Sequence, residues 1–148
     1  LGYVYIIMTN PRLLSADIEF GADKQENIIH SLRNYFQSSN IEATKDKYCI
    51  YDAEDSSTHT RYEIKARRHK FGTYDTTIIS YNKRKAYKEG MRLLFVFGFT
   101  DGLYYIEYND DLFNSFETKS ITYYRSGCAT KPVLHYCIPN DLLLPITL

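Results

Sequence analysis

The run Leu93-Leu-Phe-Val-Phe-Gly-Phe99 is apolar from end to end, and Thr100-Asp101-Gly102 separates it from the β-rich Leu103-Tyr-Tyr-Ile-Glu-Tyr108. A strand that is hydrophobic on both faces must be covered on both faces, so this run is expected at the centre of a sheet. Asp-Gly between two β-rich runs predicts a tight hairpin. The chain is therefore expected to fold in layers around a central strand, and 148 residues are enough for one domain with a full core.

The remaining pattern assigns the other elements. Residues 3–8 alternate aromatic and aliphatic side chains and predict a strand ended by Asn10-Pro11. Ile28, Ile29, Leu32, Tyr35 and Phe36 recur on one helical face, predicting a helix from about Asp23 to Gln37. Strands are expected at about 48–53 and 61–67, joined through the turn-rich Glu54-Asp-Ser-Ser-Thr-His-Thr60. Thr73–Ser80 leads into a basic helix over 81–89, with Ser80 as N-cap and Gly90 as stop. The tail predicts strands near Ser120–Arg125 and Val133–Ile138, then a short apolar end after Pro139-Asn140. The order helix, hairpin, helix, hairpin, strands implies an α+β domain with a central mixed β-sheet flanked by helices.

The first hairpin carries chemistry. With its turn centred on Ser57 and Thr58, Asp52 and Glu63 become cross-strand partners on one face, and Lys65 joins them by alternation. Two opposed carboxylates repel unless something compensates, and a divalent cation does so: Mg²⁺ commonly takes one or two carboxylates plus substrate phosphate oxygens. Lys65 suits the positioning of an attacking water beside such a cation, and the Ile64 carbonyl could be a further ligand. Glu54 and Asp55 are rival carboxylates, placed less well because both fall in the expected turn. The competing reading is a solvated strand face bearing ordinary Glu and Lys.

Net charge is zero, yet ten of the eighteen Lys and Arg residues lie between Arg61 and Arg92, against only Glu63, Asp75 and Glu89. Such a local basic surface around a carboxylate pair is the footprint expected for a polyanion. Cys49, Cys128 and Cys137 have no paired spacing and read as thiols of a reducing compartment, and the four histidines have no zinc-like pairing. His69, within Arg67-Arg68-His69-Lys70, is the histidine best placed to touch nucleic acid, although a plain surface role fits it as well. No apolar run is long enough to span a membrane and no secretory signal opens the chain, so a soluble intracellular protein without membrane partners is expected. With Leu at position 1, the native start is expected to lie upstream or to have been replaced.

In sum these segments resemble the PD-(D/E)XK (restriction-endonuclease-like) nuclease superfamily, whose core is a helix, a catalytic β-hairpin carrying D and E-x-K, a second helix and further strands. The likeness covers roughly residues 20 to 110. Tyr51-Asp52, Glu63-Ile-Lys65-Ala-Arg67, Thr76-Thr77-Ile-Ile-Ser-Tyr-Asn82-Lys83 and Thr100-Asp-Gly-Leu-Tyr-Tyr-Ile-Glu107 together resemble small nucleases of large DNA viruses and phages. On that basis residues 1–20 are an N-terminal extension, 21–110 a nuclease core and 111–148 C-terminal strands and tail. The resemblance implies Asp52, Glu63, Ile64 and Glu26 around Mg²⁺ or Mn²⁺, with Lys65 catalytic. Glu26 is equally readable as part of a capping-box-like helix start, Asp23-x-x-Glu26. Lys83 is implied as an accessory basic residue, helped by Asn82, while Arg67, Arg68, Lys70, Lys83, Arg84 and Lys85 would grip the backbone of DNA. Tyr51 stands where the motif's name has Pro, a position that supplies shape and no ligand. The implied activity is a deoxyribonuclease acting in the host cell of a virus or phage, with a homodimer if both strands of a duplex are cut. An RNA-directed nuclease and a non-catalytic nucleic-acid-binding module of the same fold are the alternatives.

Overall fold

The computed structural model describes residues 4–8, 24–125 and 127–147. The expected stop at Asn10-Pro11 and the helix start at Asp23 lie outside the described residues. Elements in chain order are β1 (Val4–Met8), α1 (24–35), β2 (Ile41–Ala43), β3 (Ala53–Asp55), β4 (Thr60–Ala66), β5 (Thr76–Ser80) and a 3-10 helix, Tyr81–Ala86. Then come β6 (Arg92–Phe99), β7 (Gly102–Glu107), α2 (Asp110–Asn114), β8 (Glu117–Arg125), β9 (Cys128–Ala129), β10 (Val133–Pro139), a 3-10 turn Asn140–Leu142 and β11 (Leu144–Ile146). The fold is α+β, rich in strands and poor in helix.

The strands form two sheets. Six strands run in the order β11-β7-β6-β4-β3-β2, with β4 and β6 parallel and every other pair antiparallel. The other sheet has the order β1-β8-β10-β5, with β9 added to β8. The all-apolar run becomes β6, interior to the six-stranded sheet as expected. Leu94 and Val96 face α1, packing with Ile28, Ile29, Leu32, Tyr62 and Ile64. Leu93, Phe95, Phe97 and Phe99 face the second sheet, packing with Ile79, Tyr136 and Ile138. The helix approaches closely because residue 98 is glycine: a Cβ there would stand 2.6 Å from Cδ1 of Ile28.

Several expectations need correction. In place of a single central sheet flanked by helices there are two sheets, because Thr76–Ser80 pairs with β10, far along the chain. The basic helix is one short 3-10 segment: only Ala86 of it is buried, so it has no apolar stripe to extend a helix, and Ser80 makes no side-chain cap. The β6–β7 hairpin forms as expected, with Thr100 and Asp101 in its turn and Gly102 paired to Phe99, and the Asp101 carboxylate accepts the Phe71 N–H at 2.8 Å. β3 starts only at Ala53, five residues later than expected. Several elements went unforeseen, among them β2, β9, α2, capped by the Asn109 side chain accepting from Leu112 N–H, and β11, which pairs with β7.

Candidate nucleic-acid cleavage site

Alternation along β4 decides what Glu63 and Lys65 face. Tyr62 and Ile64 pack under α1, so Arg61, Glu63 and Lys65 point the other way, toward the second sheet. Glu63 sits in register with Phe95 and Lys65 with Phe97, two fully buried rings, and this leaves the Glu63 side chain only 2% exposed. The 3-10 helix then closes over β4. Arg61 donates from Nη1 to the Ala86 carbonyl at 3.0 Å, and Lys83 Nζ reaches Oε1 of Glu63 at 2.8 Å. Lys65 Nζ lies 3.4 Å from the same oxygen.

Asp52 arrives differently from the simple cross-strand partner expected. The β3–β4 register pairs Ala53 with Tyr62, yet the Asp52 N–H also donates to the Tyr62 carbonyl at 2.9 Å, so two residues stand against one as in a β-bulge. Released from the ladder, Asp52 turns its Oδ2 to accept the Ile64 N–H at 2.7 Å. The N–H and C=O of a strand residue point to the same edge, so the Ile64 carbonyl faces Asp52 past the end of β3. Asp52 remains beside Glu63: its charge is the second cause, after burial, that holds the Glu63 carboxyl above the ordinary glutamate range, with Lys65 and Lys83 opposing. Burial in turn lowers the Lys65 pKa; Lys83 and Arg67 push the same way, against Glu63 and Asp52. Lys65 thus gives up its proton more readily than an exposed lysine.

The rival carboxylates are employed elsewhere. Asp55 is buried and accepts from the Ser38 hydroxyl at 2.6 Å and from Ser57 N–H and hydroxyl at 2.9 and 2.6 Å, and Glu54 accepts from the Tyr51 hydroxyl at 3.3 Å. Glu26 does not join the cluster. It is exposed on α1 beside Gln25, Ile29, Arg33 and Ala43, on the layer opposite Glu63, and no hydrogen bond or ion pair among the described residues links it to Asp52 or Glu63. Arg67 is likewise committed, donating from Nη2 to the Ile78 carbonyl at 2.8 Å and lying over the Phe97 ring. Arg68, Lys70, Asn82, Arg84 and Lys85 are exposed around the cluster. His69 packs against Tyr74 and Phe99.

Two neighbours carried no signal in the sequence. His135 is 4% exposed; its Nδ1–H donates to the Val133 carbonyl at 2.8 Å, so Nε2 accepts from the Tyr123 hydroxyl at 2.9 Å. Burial lowers its pKa, opposed by the Val133 bond, and the charges of Arg67 and Lys65 add to the lowering.

Among the described residues no group of three or more His, Cys, Asp or Glu is arranged to hold a metal ion. The candidate donors at β4 are fewer, two carboxylates and one carbonyl, oxygen groups of the type that hard cations take alongside their own waters. No described helix is long and apolar enough to cross a membrane. The chain matches no protein-family model, no curated protein and no solved structure.

Proposed function

We propose that the chain is a metal-dependent DNA nuclease of the PD-(D/E)XK type. One observation carries the reading: Asp52, Glu63, Lys65 and Lys83 converge at the end of β4, within an exposed basic surface. Asp52, Glu63 and the Ile64 carbonyl would hold Mg²⁺ or Mn²⁺, which when bound neutralises phosphoryl charge and acidifies water. Lys83 holds the Glu63 carboxylate in one orientation through its 2.8 Å contact. Lys65, with its pKa lowered, orients the attacking water and offsets charge developing on the phosphoryl oxygens. Arg68, Lys70, Arg84 and Lys85 grip the flanking phosphates; Arg67 and Glu26 have no part in this account. A symmetric dimer would allow both strands of a duplex to be cut.

A binding module without catalysis is the second reading, and a specific observation favours it: the two carboxylates and two lysines already balance in charge without a cation. Incubation of the protein with linear, circular, single-stranded and branched DNA, and with RNA, in Mg²⁺, Mn²⁺ or EDTA separates the two. Cleavage that needs metal and disappears in Lys65→Ala and Glu63→Ala, both folded by circular dichroism, supports the nuclease. Binding with no metal-dependent nicking in the wild type removes it.

A further inference from the structure

The loop over residues 44–52 is closed by hydrogen bonds and ends on Asp52 of the cluster. Its ends are clamped, with Thr44 N–H donating to the Asp52 carbonyl at 2.9 Å and Thr44 Oγ1 to the Tyr51 carbonyl at 3.0 Å. Inside it, Asp46 accepts the Tyr48 N–H on its side chain at 2.9 Å and the Cys49 N–H on its carbonyl at 3.0 Å. This ordered frame presents Tyr48 at 79% exposure and Ile50 at 51%, flanked by exposed Lys45 and Lys47, and the Lys47 ammonium lies 5.0 Å from the Tyr48 ring centroid. The chain leads from this tip straight into Asp52.

A large ring left in water with the Lys47 ammonium beside it, on a loop framed by hydrogen bonds, fits an aromatic face attached to phosphates. Nucleobases have that chemistry, and stacking on a protein ring tolerates any sequence. A base inside a continuous duplex already has both faces covered, so such a ring finds a partner only on an unpaired or terminal base. We propose that Tyr48, with Ile50 beside it, stacks on an unpaired base next to the linkage held at Asp52 and Glu63, so that the site takes single-stranded or branched DNA in preference to continuous duplex. The inference rests on the nuclease reading for the role of the neighbouring cluster.

The test uses the full chain and DNA probes carrying 2-aminopurine, once in a single strand and once inside a duplex, in EDTA and again in Mg²⁺. Wild type should quench the single-strand probe and bind it more tightly than the duplex. Tyr48→Ala should lose the quench and weaken single-strand binding by about 5- to 150-fold, with duplex binding almost unchanged and Tyr48→Phe restoring both. Absence of quenching, equal binding by Tyr48→Ala, or a preference for duplex overturns the proposal. The two ideas fail separately: quenching without cleavage in Mg²⁺ or Mn²⁺ removes the nuclease and keeps the stacking loop, whereas cleavage without quenching does the reverse.

Discussion

Replacing Lys83 by Met removes the nearest cation from a carboxylate that is 2% exposed, while keeping most of the side chain's bulk. In the wild type Asp52, Glu63, Lys65 and Lys83 sum to zero charge; in the variant one negative charge is left over. At an effective dielectric of 20 the gross attraction is about 6 kcal/mol for the 2.8 Å Lys83 contact and about 5 kcal/mol for the 3.4 Å Lys65 contact. Most of that is cancelled by desolvation and by water, since the lysine side chains are 31–32% exposed. Breaking a fully buried pair costs about 3–5 kcal/mol; with Lys65 still present and solvent screening the rest, a loss of about 1–3 kcal/mol is expected. In urea this lowers the unfolding midpoint by about 1 M, for a slope of about 1–3 kcal/mol per molar. The pH dependence gives the sharper check. The folded Glu63 carboxyl already lies above its ordinary value through burial and Asp52, so the native state binds that proton more tightly, and stability falls as pH rises from the unfolded value through the folded one. Loss of Lys83 raises the folded value further and extends the falling window upward. The variant's deficit should therefore be small near about pH 4 and larger near about pH 7. A deficit that is the same at both, or none at all, would refute the pairing.

Three further variants read other contacts. Asp55→Ala should cost about 1.5–3 kcal/mol, because it removes the buried carboxylate that accepts from half-buried Ser38 and from exposed Ser57. Burial raises the Asp55 carboxyl but its hydrogen bonds outweigh that and hold it below the ordinary range, so its contribution is present above the unfolded value and lost as pH falls through the folded one; a urea series in acid reads this. Arg67→Met should weaken the fold by about 1–3 kcal/mol through the lost Ile78 bond, yet leave the salt dependence of DNA binding unchanged. Lys85→Ala should instead spare the fold and flatten the slope of log K against log salt by about 1.

Much of this was legible where local periodicity governs. The double-faced run had to be an inner strand, and alternation alone placed Glu63 and Lys65 on the same side of β4. The register implied by the Ser57-Thr58 turn holds through Ala53 and Tyr62. What periodicity does not encode was missed. The second sheet depends on β5 meeting β10 and β1 meeting β8, pairings between distant segments with no local signature. A bulge is a break in period, so Asp52 looked like a ladder residue when it is a loop residue turned inward. Glu26 lies on the helix that covers the opposite layer, and a motif match contains no information about which layer a helix covers. Arg67 could be read as a surface cation because its sequence neighbours are basic; its guanidinium is claimed by a carbonyl from β5.

The bond from Asp52 to Ile64 alters how descendants of this chain would diverge. That oxygen substitutes for a missing main-chain acceptor, so selection for a folded hairpin alone is enough to keep the residue, whatever becomes of hydrolysis. Glu63 is held by no such tie, since its buried charge is a burden that only its lysine neighbours relieve. Were the proposed activity absent, the glutamate would be the first of the two to be replaced and the aspartate would persist, which makes position 63 the more telling of the pair.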